Sequence, residues 1–162
     1  MLIKLDMANT FNRVKLSFLY KVLLSFGFNL EFFKLIKACT EKSWIASLVN
    51  GRLTNFLQAS RGLRQGFPLS LFLYIIMADS LSRKLTVEKK VEIVPDIRLV
   101  RGLESINHIL FVDDSLLLGG ASIRIAQTFS NILQSFCKVF GALINKNKSA
   151  MYGWNVDQHT TQ

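Results

Sequence analysis

The sequence predicts an α+β fold in which helices cover one side of an antiparallel sheet. Three observations favour it: an alternating strand near the start that ends at an aspartate, two later apolar strands flanking adjacent aspartates, and apolar residues at helical spacing in the segments between and after them. With 162 residues, half of them hydrophobic, the chain suits one domain with a substantial core. We expect this domain over residues 1–152 and a polar tail over residues 153–162.

The first elements are a strand and two helices. Residues 2–6 alternate in character as a strand does. Asn12 is a suitable N-cap for a helix with apolar residues every three or four positions, and Gly27 suits the position after its end. A second helix is predicted over residues 30–39, after a capping Asn29.

The middle of the chain contains a hairpin, a loop and a long helix. Asn50-Gly51, within WIASLVNGRLTNFLQA, is a favoured two-residue turn between apolar segments. The polar loop RGLRQGFPLS follows, and Pro68 suits the first position of a helix that we expect to end near Leu85. Because the first half of this helix is apolar on every side, it should run through the middle of the domain. TVEKKVEIVPD is predicted to be a charged connector.

The last third contains a second hairpin and an amphipathic helix. In INHILFVDDSLLLGG two apolar strands flank Asp113 and Asp114. After Gly120 an apolar stripe at helical spacing predicts a helix that ends at Gly141.

Composition favours a polyanionic partner and disfavours several other classes. Twenty Lys and Arg residues against eleven acidic ones give a net charge of +9, which suits nucleic acid, although a solvated basic surface has the same charge. The longest apolar run, LSLFLYIIMA, is about half of a membrane span. Cys39 and Cys137 are far apart and lack zinc-site spacing, so we expect reduced thiols and, with no visible secretory signal, an intracellular protein.

The aspartates at the strand ends are the strongest candidates for chemistry. Carboxylates from different strands that meet at a turn can hold two divalent cations about 3.5 to 4 Å apart, the arrangement used for phosphoryl transfer. Magnesium prefers such oxygen ligands. The competing interpretation of Asp113-Asp114 alone is an ordinary solvated turn, where aspartate is common.

Four stretches in order resemble the palm of non-LTR, LINE-type retrotransposon reverse transcriptases, especially those of plants. They are IKLDMANTFNRV, RGLRQGFPLS, HILFVDD and GALINKNKS, and the likeness runs from about residue 2 to residue 152. The resemblance implies a palm-type antiparallel sheet backed by helices. It also implies RNA-directed DNA polymerase activity, with an RNA template, a DNA primer and dNTP.

The resemblance assigns the aspartates to metal binding. Asp6 and Asp113 would ligate both of two ions, Mg²⁺ or Mn²⁺, and Asp114 would lie beside them. The apolar flanks would then anchor a charged tip that metal ions neutralise.

The resemblance also implies residues that contact the substrate. Phe11 would pack under the nucleotide sugar and exclude a 2′-hydroxyl, while Gln65 and Gly66 would line the incoming nucleotide and the template. Lys148 would donate a proton to the leaving pyrophosphate. Phe11 equally suits the core, and Lys148 equally suits the surface.

Two arginines and a histidine have simpler competing roles. Arg61 and Arg64, beside two glycines, suit phosphate contacts, which position nucleic acid without reading its sequence, but they also suit a solvated loop. His108, shortly before the aspartates, is most simply a structural histidine with satisfied hydrogen bonds.

Departures from the family pattern lower the expected activity. Phe67 stands where the family usually has Asp, and it cannot cap the following helix, which costs about 1 kcal/mol. Leu71 replaces a common Pro, and Asn12 replaces the usual second acid of the first motif. The fingers and thumb segments are expected to be largely missing. Unless a partner supplies them, we expect polymerisation to be weak or absent, because positioning provides most of the catalysis.

Two other functions remain open. LDMANT resembles the DxDxT motif of aspartyl-phosphate phosphatases, with Asp6 as nucleophile, but Ala8 occupies the place of the general acid. A non-enzymatic alternative is a degenerate retroelement fragment that binds nucleic acid through its basic surface.

Overall fold

The computed structural model describes residues 1–41, 44–90, 105–112 and 114–154, in an alternation of short strands and helices. The helices are α1 (Thr10–Arg13), α2 (Leu16–Ser25), α3 (Leu30–Glu41), α4 (Pro68–Lys90) and α5 (Ile123–Phe140). The strands are β1 (Leu2–Ala8), β2 (Trp44–Ile45), β3 (Leu48–Val49), β4 (Arg52–Leu53), β5 (Leu57–Gln58), β6 (His108–Phe111), β7 (Asp114–Leu118), β8 (Leu143–Ile144) and β9 (Ala150–Tyr152).

The main sheet is antiparallel, as predicted. Its order is β6-β7-β1-β8, and β9 also pairs with β1. In the register of β1 and β7, Leu5 lies opposite Ser115 and Asp6 lies opposite Asp114. The predicted strand at residues 2–6 is confirmed and extends two residues further, to Ala8.

Helices cover one face of this sheet, which confirms the α+β prediction. Leu5, Met7 and Leu117 are buried, whereas Lys4 in the same strand as Leu5 is exposed, as the two-residue period of a strand requires. Leu5 and Leu117 pack with residues of α4 and α5, and Met7 packs in a neighbouring cluster with α2, α3 and α4. The opposite face carries Asp6 and Asp114.

Several predicted helix boundaries are confirmed. The side-chain carboxamide oxygen of Asn29 accepts a 2.8 Å hydrogen bond from the backbone N–H of Phe32 at the start of α3. Gly27 and Gly141 follow α2 and α5 with φ of 78° and 95°. These ends depend on residues within one helical turn, which is why local sequence predicts them.

The prediction that Asn12 caps a helix is wrong. Asn12 lies inside the four-residue helix α1, and α2 begins separately at Leu16, after Lys15, which makes no side-chain capping bond. The extended backbone of Val14 separates the two helices. Val14 is fully buried, so tertiary packing favours this break over one continuous helix.

Helix α4 begins at Pro68 as predicted and continues to Lys90, five residues beyond the expected end. The first part of the predicted connector is therefore helical, and the i,i+4 pair Lys84–Glu88 at 2.9 Å supports that extension. The remainder of the connector, residues 91–104, lies outside the described residues. The helix crosses both core clusters, which agrees with the predicted central course, but Phe72 and Ile75 are 63% and 51% exposed, so one side of its apolar first half is not buried.

The predicted turn at Asn50-Gly51 is confirmed. Strands β3 and β4 pair on either side of it, and both turn residues have positive φ, 50° and 76°, as this hairpin class requires. Strands β2 and β5 pair further out from the turn. Within the described ranges, each helix is too short or too polar to cross a lipid bilayer.

Candidate active site

Two of the three predicted metal-binding aspartates face each other across neighbouring strands. Asp6 in β1 and Asp114 in β7 are direct cross-strand partners, and both are half-buried. Directly opposed residues in an antiparallel pair have Cβ atoms about 4.5 to 5.5 Å apart and side chains on the same face. The prediction that folding brings Asp6 and Asp114 to neighbouring strand positions is therefore confirmed, while Asp113 lies outside the described residues.

This pairing places like charges next to each other, which is destabilising without a compensating cation. Among residues 1–41, 44–90, 105–112 and 114–154, no lysine or arginine forms an ion pair with either carboxylate. The same residues contain no cluster of three acidic, histidine or cysteine ligands. The described part of the site thus supplies two carboxylates, a donor set that fits a hard divalent cation completed by further oxygen ligands.

The backbone of Asp6 is held by the loop that carries Lys148. The backbone N–H of Asn145 donates to the carbonyl oxygen of Asp6 at 2.9 Å, and the N–H of Asp6 donates to the hydroxyl of Ser149 at 3.2 Å. The Ser149 hydroxyl in turn donates to the Asn145 carbonyl at 2.8 Å. Lys148 is exposed on this loop, beside the end of β1 where the predicted site lies.

The turn between β6 and β7 contains a strained residue that the sequence reasoning missed. Phe111 pairs with Asp114, so only two residues form the turn, and the first of them, Val112, has a φ of 50°. A β-branched residue rarely adopts this conformation, which costs about 1 to 3 kcal/mol. The spacing contained the signal, because two-residue hairpin turns demand positive φ at their first position.

The glycine-rich loop, residues 61–66, is bound to the backbone of α1 and of Val14, the residue that follows α1. The N–H of Gly62 donates to the Val14 carbonyl, and the N–H of Leu63 donates to the Phe11 carbonyl, both at 2.8 Å. A Cβ at Gly62 would lie 2.9 Å from the Asn12 carbonyl oxygen, so only glycine permits this approach without a shift. The side-chain amide of Gln65 also donates to the Asn12 side chain at 3.3 Å.

A cavity of about 440 Å³ collects the residues predicted to contact the nucleotide. Phe11 packs against the core, as its competing interpretation predicted, and it also lines this cavity. Its ring lies 5.2 Å from the ring of Tyr74 in α4. The cavity is lined by Phe11, Arg64, Gln65, Gly66, Phe67, Pro68, Ser70 and Leu71.

A second, larger cavity, of about 720 Å³, shares Arg64 and Gln65 of the glycine-rich loop with the first. Arg61, Arg64, Gln65 and Asn12 line it together with residues of the β2–β5 segment. Both arginines are exposed, and the three ion pairs within the described residues involve other cations. Both guanidinium-bearing side chains thus lie exposed at the wall of this cavity.

His108 has the structural environment that the sequence analysis assigned to it. Its Nε2 lies 2.8 Å from the Ser82 hydroxyl and its Nδ1 lies 2.6 Å from the Asn107 carboxamide oxygen. The Asn107 amide donates to the Leu85 carbonyl at 2.8 Å. Burial, and secondly the charge of Lys89, lowers the pKa of His108. These contacts join β6 to α4 and so connect the aspartate hairpin to this helix.

Comparison with known proteins gives matches over nearly the whole chain. The family described as "Reverse transcriptase (RNA-dependent DNA polymerase)" matches residues 1–159. An uncharacterized mitochondrial protein of Arabidopsis thaliana is 36% identical over 72 residues, which cover 44% of this chain and 59% of that protein.

Solved structures of telomerase share the fold. Telomerase from Candida albicans, determined with the TWJ fragment of telomeric RNA, superimposes with a TM-score of 0.70 at 17% identity, covering 99% of this chain and 28% of that one. Apo telomerase from Candida tropicalis, truncated from the C-terminal domain, gives a TM-score of 0.69 at 17% identity, covering 97% of this chain and 31% of that one. The chain thus spans about a third or less of these structures and somewhat over half of the Arabidopsis relative.

Proposed function

Because the chain belongs to the reverse transcriptase family, we propose that it carries the nucleotidyl-transfer site of an RNA-directed DNA polymerase. The observation that carries this proposal is the direct cross-strand pairing of Asp6 with Asp114. Two aspartates far apart in sequence lie opposite each other there, on the face of the sheet away from the described helices and at the end where the hairpin turns. We assign the domain to residues 1–152 and its origin to a LINE-type retroelement.

The carboxylates would bind the metal ions. Reverse transcriptases generally use divalent metal ions, and we propose two Mg²⁺ or Mn²⁺ ions at Asp6, Asp113 and Asp114. When bound, such ions stabilise charge on the attacking and leaving oxygens of an in-line displacement. The uncompensated repulsion between Asp6 and Asp114 supports this assignment, because a cation between them would offset it.

The cavity beside Phe11 would bind the incoming nucleotide. The aromatic ring would pack under the sugar and disfavour a 2′-hydroxyl, and the exposed Gln65 and Gly66 would contact the nucleotide and template. The apolar wall fits a sugar face better than a charged group.

The basic residues around the loop would contact phosphates. Arg61 and Arg64 at the larger cavity would position the RNA template or DNA primer by contacting phosphates of the nucleic-acid backbone. Lys148 would donate a proton to the leaving pyrophosphate, since its loop is bonded to Asp6.

A Mn²⁺ titration tests the metal assignment. We expect Asp6→Asn, Asp113→Asn and Asp114→Asn each to weaken Mn²⁺ binding at least about tenfold, because even partners outside the ligand shell change metal affinity about 10- to 100-fold. Asp79→Asn is the matched control, since Asp79 pairs with Arg83 on α4. Equal Mn²⁺ affinity in all four variants and the wild type would contradict the assignment.

Primer extension on an RNA template tests the activity. We expect dNTP incorporation with Mg²⁺ or Mn²⁺ to be lost in Asp113→Asn and kept in Asp79→Asn. The sequence-based expectation of weak polymerisation stays a prediction that the wild-type rate checks. Substantial incorporation by this chain alone would refute that expectation.

The net charge of +9 favours a second candidate, a non-catalytic nucleic-acid-binding protein. Nucleic-acid binding would then weaken steeply with salt and be indifferent to Asp114→Asn. A chain that binds RNA in this way but neither binds Mn²⁺ through the carboxylates nor extends a primer would fit this candidate and not the polymerase.

A further inference from the structure

Tyr74 connects the helix behind the sheet to the turn that carries the aspartates. It is only 4% exposed, yet its hydroxyl donates a 2.9 Å hydrogen bond to the carbonyl oxygen of Val112. That carbonyl belongs to the peptide unit that links Val112 to the first aspartate of the pair. A core residue of α4 thus bonds directly to the backbone at the tip of the hairpin.

The Val112 residue that accepts this bond has a strained backbone conformation. Val112 has a φ of 50°, in the left-handed region that β-branched residues rarely adopt. Conformations of this kind persist only where the surrounding structure holds them in place. The Tyr74 hydroxyl is such a restraint, since it contacts the strained residue itself.

The direction of the Tyr74 hydroxyl is set by aromatic neighbours. Its ring lies 5.2 Å from Phe11 on one side and 5.7 Å, nearly perpendicular, from Phe140 on another. Phe11 also lines the cavity assigned to the nucleotide. One side chain therefore contacts both the wall of that cavity and the aspartate turn.

We propose that Tyr74 is a positioning residue that holds the Val112 peptide so that Asp114 faces Asp6, and that links the Phe11 cavity to the turn. The hydroxyl acts through the backbone. This inference rests on the proposed function for what the aspartates bind, but the restraint on the turn can be measured without it.

The test compares Tyr74→Phe with the matched variant Tyr20→Phe in the full chain. Tyr74→Phe keeps the ring and its packing and removes the hydroxyl. Tyr20→Phe removes a comparable part-buried hydroxyl, bonded to Thr40 at 2.8 Å between α2 and α3, away from the hairpin. Two quantities are measured: amide hydrogen exchange, and Mn²⁺ affinity by the loss of the free Mn²⁺ electron paramagnetic resonance signal.

We expect Tyr74→Phe to accelerate exchange across residues 111–115 and to raise the Mn²⁺ dissociation constant, each by about three- to tenfold, the range for one lost hydrogen bond. Exchange in β1 should stay at the wild-type rate, and Tyr20→Phe should change neither quantity at the hairpin. A loss of fold would instead accelerate exchange throughout both core clusters.

The proposal is overturned if Tyr74→Phe leaves amide exchange across residues 111–115 unchanged. It is also overturned if the wild type binds Mn²⁺ through Asp114 and Tyr74→Phe accelerates this exchange without changing the Mn²⁺ affinity. If the wild type binds no Mn²⁺, the proposed function fails, and the exchange comparison alone decides whether Tyr74 restrains the turn. The two failures are therefore distinguishable.

Discussion

Phe67 lies directly before Pro68, the first residue of α4, and so occupies the N-cap position that the sequence analysis assigned to it. Its side chain is 45% exposed and lines the cavity beside Phe11. A phenyl ring cannot accept hydrogen bonds from the amides of the first helical turn. Position 67 thus contributes apolar surface to the cavity and leaves the helix end uncapped by a side chain.

Replacing Phe67 with aspartate should stabilise the protein. Relative to Phe67→Ala, which removes the ring without adding an acceptor, we expect Phe67→Asp to raise the free energy of unfolding by about 1 kcal/mol. Its carboxylate would accept from first-turn amides and oppose the positive end of the helix dipole. Urea denaturation of both variants measures this difference, and equal midpoints would show that position 67 does not act as a cap.

Single residues also account for what the sequence analysis missed. Tyr74 was not distinguished from its apolar neighbours in α4, because its hydroxyl bonds to a residue of a distant hairpin. Val112 was taken as one more apolar strand residue, although the two-residue spacing of its turn was visible. The first omission could be found only from the structure, whereas the second could be found from turn geometry.

Among the elements, the glycine-rich loop depends most on close packing. Two backbone hydrogen bonds join it to α1 and the residue that follows α1, and this contact brings Gln65 to Asn12 and Arg64 to the cavity of Phe11. The loop has no regular structure of its own at residues 61–66, so its shape comes from this docking. The sequence analysis placed the loop correctly but had no means of locating its docking surface.

Gly62→Ala should lower the stability of the protein more than Gly66→Ala, although both glycines have positive φ, 90° and 75°. At Gly66 the added Cβ meets nothing within 4 Å, so only the backbone strain of about 1 kcal/mol applies. At Gly62 it also meets the Asn12 backbone at 2.9 Å, so the loop must move. Thermal unfolding should show the larger loss for Gly62→Ala, and a smaller loss there would contradict the docking.

On the scale of the whole molecule, two core clusters are joined by α4. Its first half packs with α2, α3 and the end of α5, and its second half packs with the sheet and α5. His108, bonded to Ser82, fastens the hairpin to the same helix. Global stability and the geometry of the aspartate turn therefore both depend on α4.

Global stability should fall in mild acid through His108. Because burial lowers its folded pKa below the usual 6.5, the unfolded chain takes up the proton first as the pH falls. The stabilisation that comes from the lowered pKa of His108 is complete above about pH 6.5 and is lost as the pH falls through the folded pKa. Guanidinium denaturation between pH 7.5 and 5.5 should show a smaller decline for His108→Gln than for the wild type, and equal declines would refute it.

The sequence by itself determined the elements whose causes are local. The ends of helices at Gly27 and Gly141, the cap at Asn29, the start at Pro68 and the turn at Asn50-Gly51 depend on residues within one turn of the chain. Such features follow from backbone preferences and capping hydrogen bonds, which act over a few residues. The alternating pattern that identified β1 and the apolar runs that identified the aspartate hairpin are local in the same sense.

Only the tertiary structure decided which of these elements meet. The pairing of Asp6 with Asp114, the bond from Tyr74 to Val112 and the break between α1 and α2 at Val14 join or depend on segments far apart in the chain. Burial of apolar surface is non-directional, so a sequence pattern shows which residues are buried without showing against which partners. The register of β1 against β7 supplies that missing information, and the candidate active site depends on it.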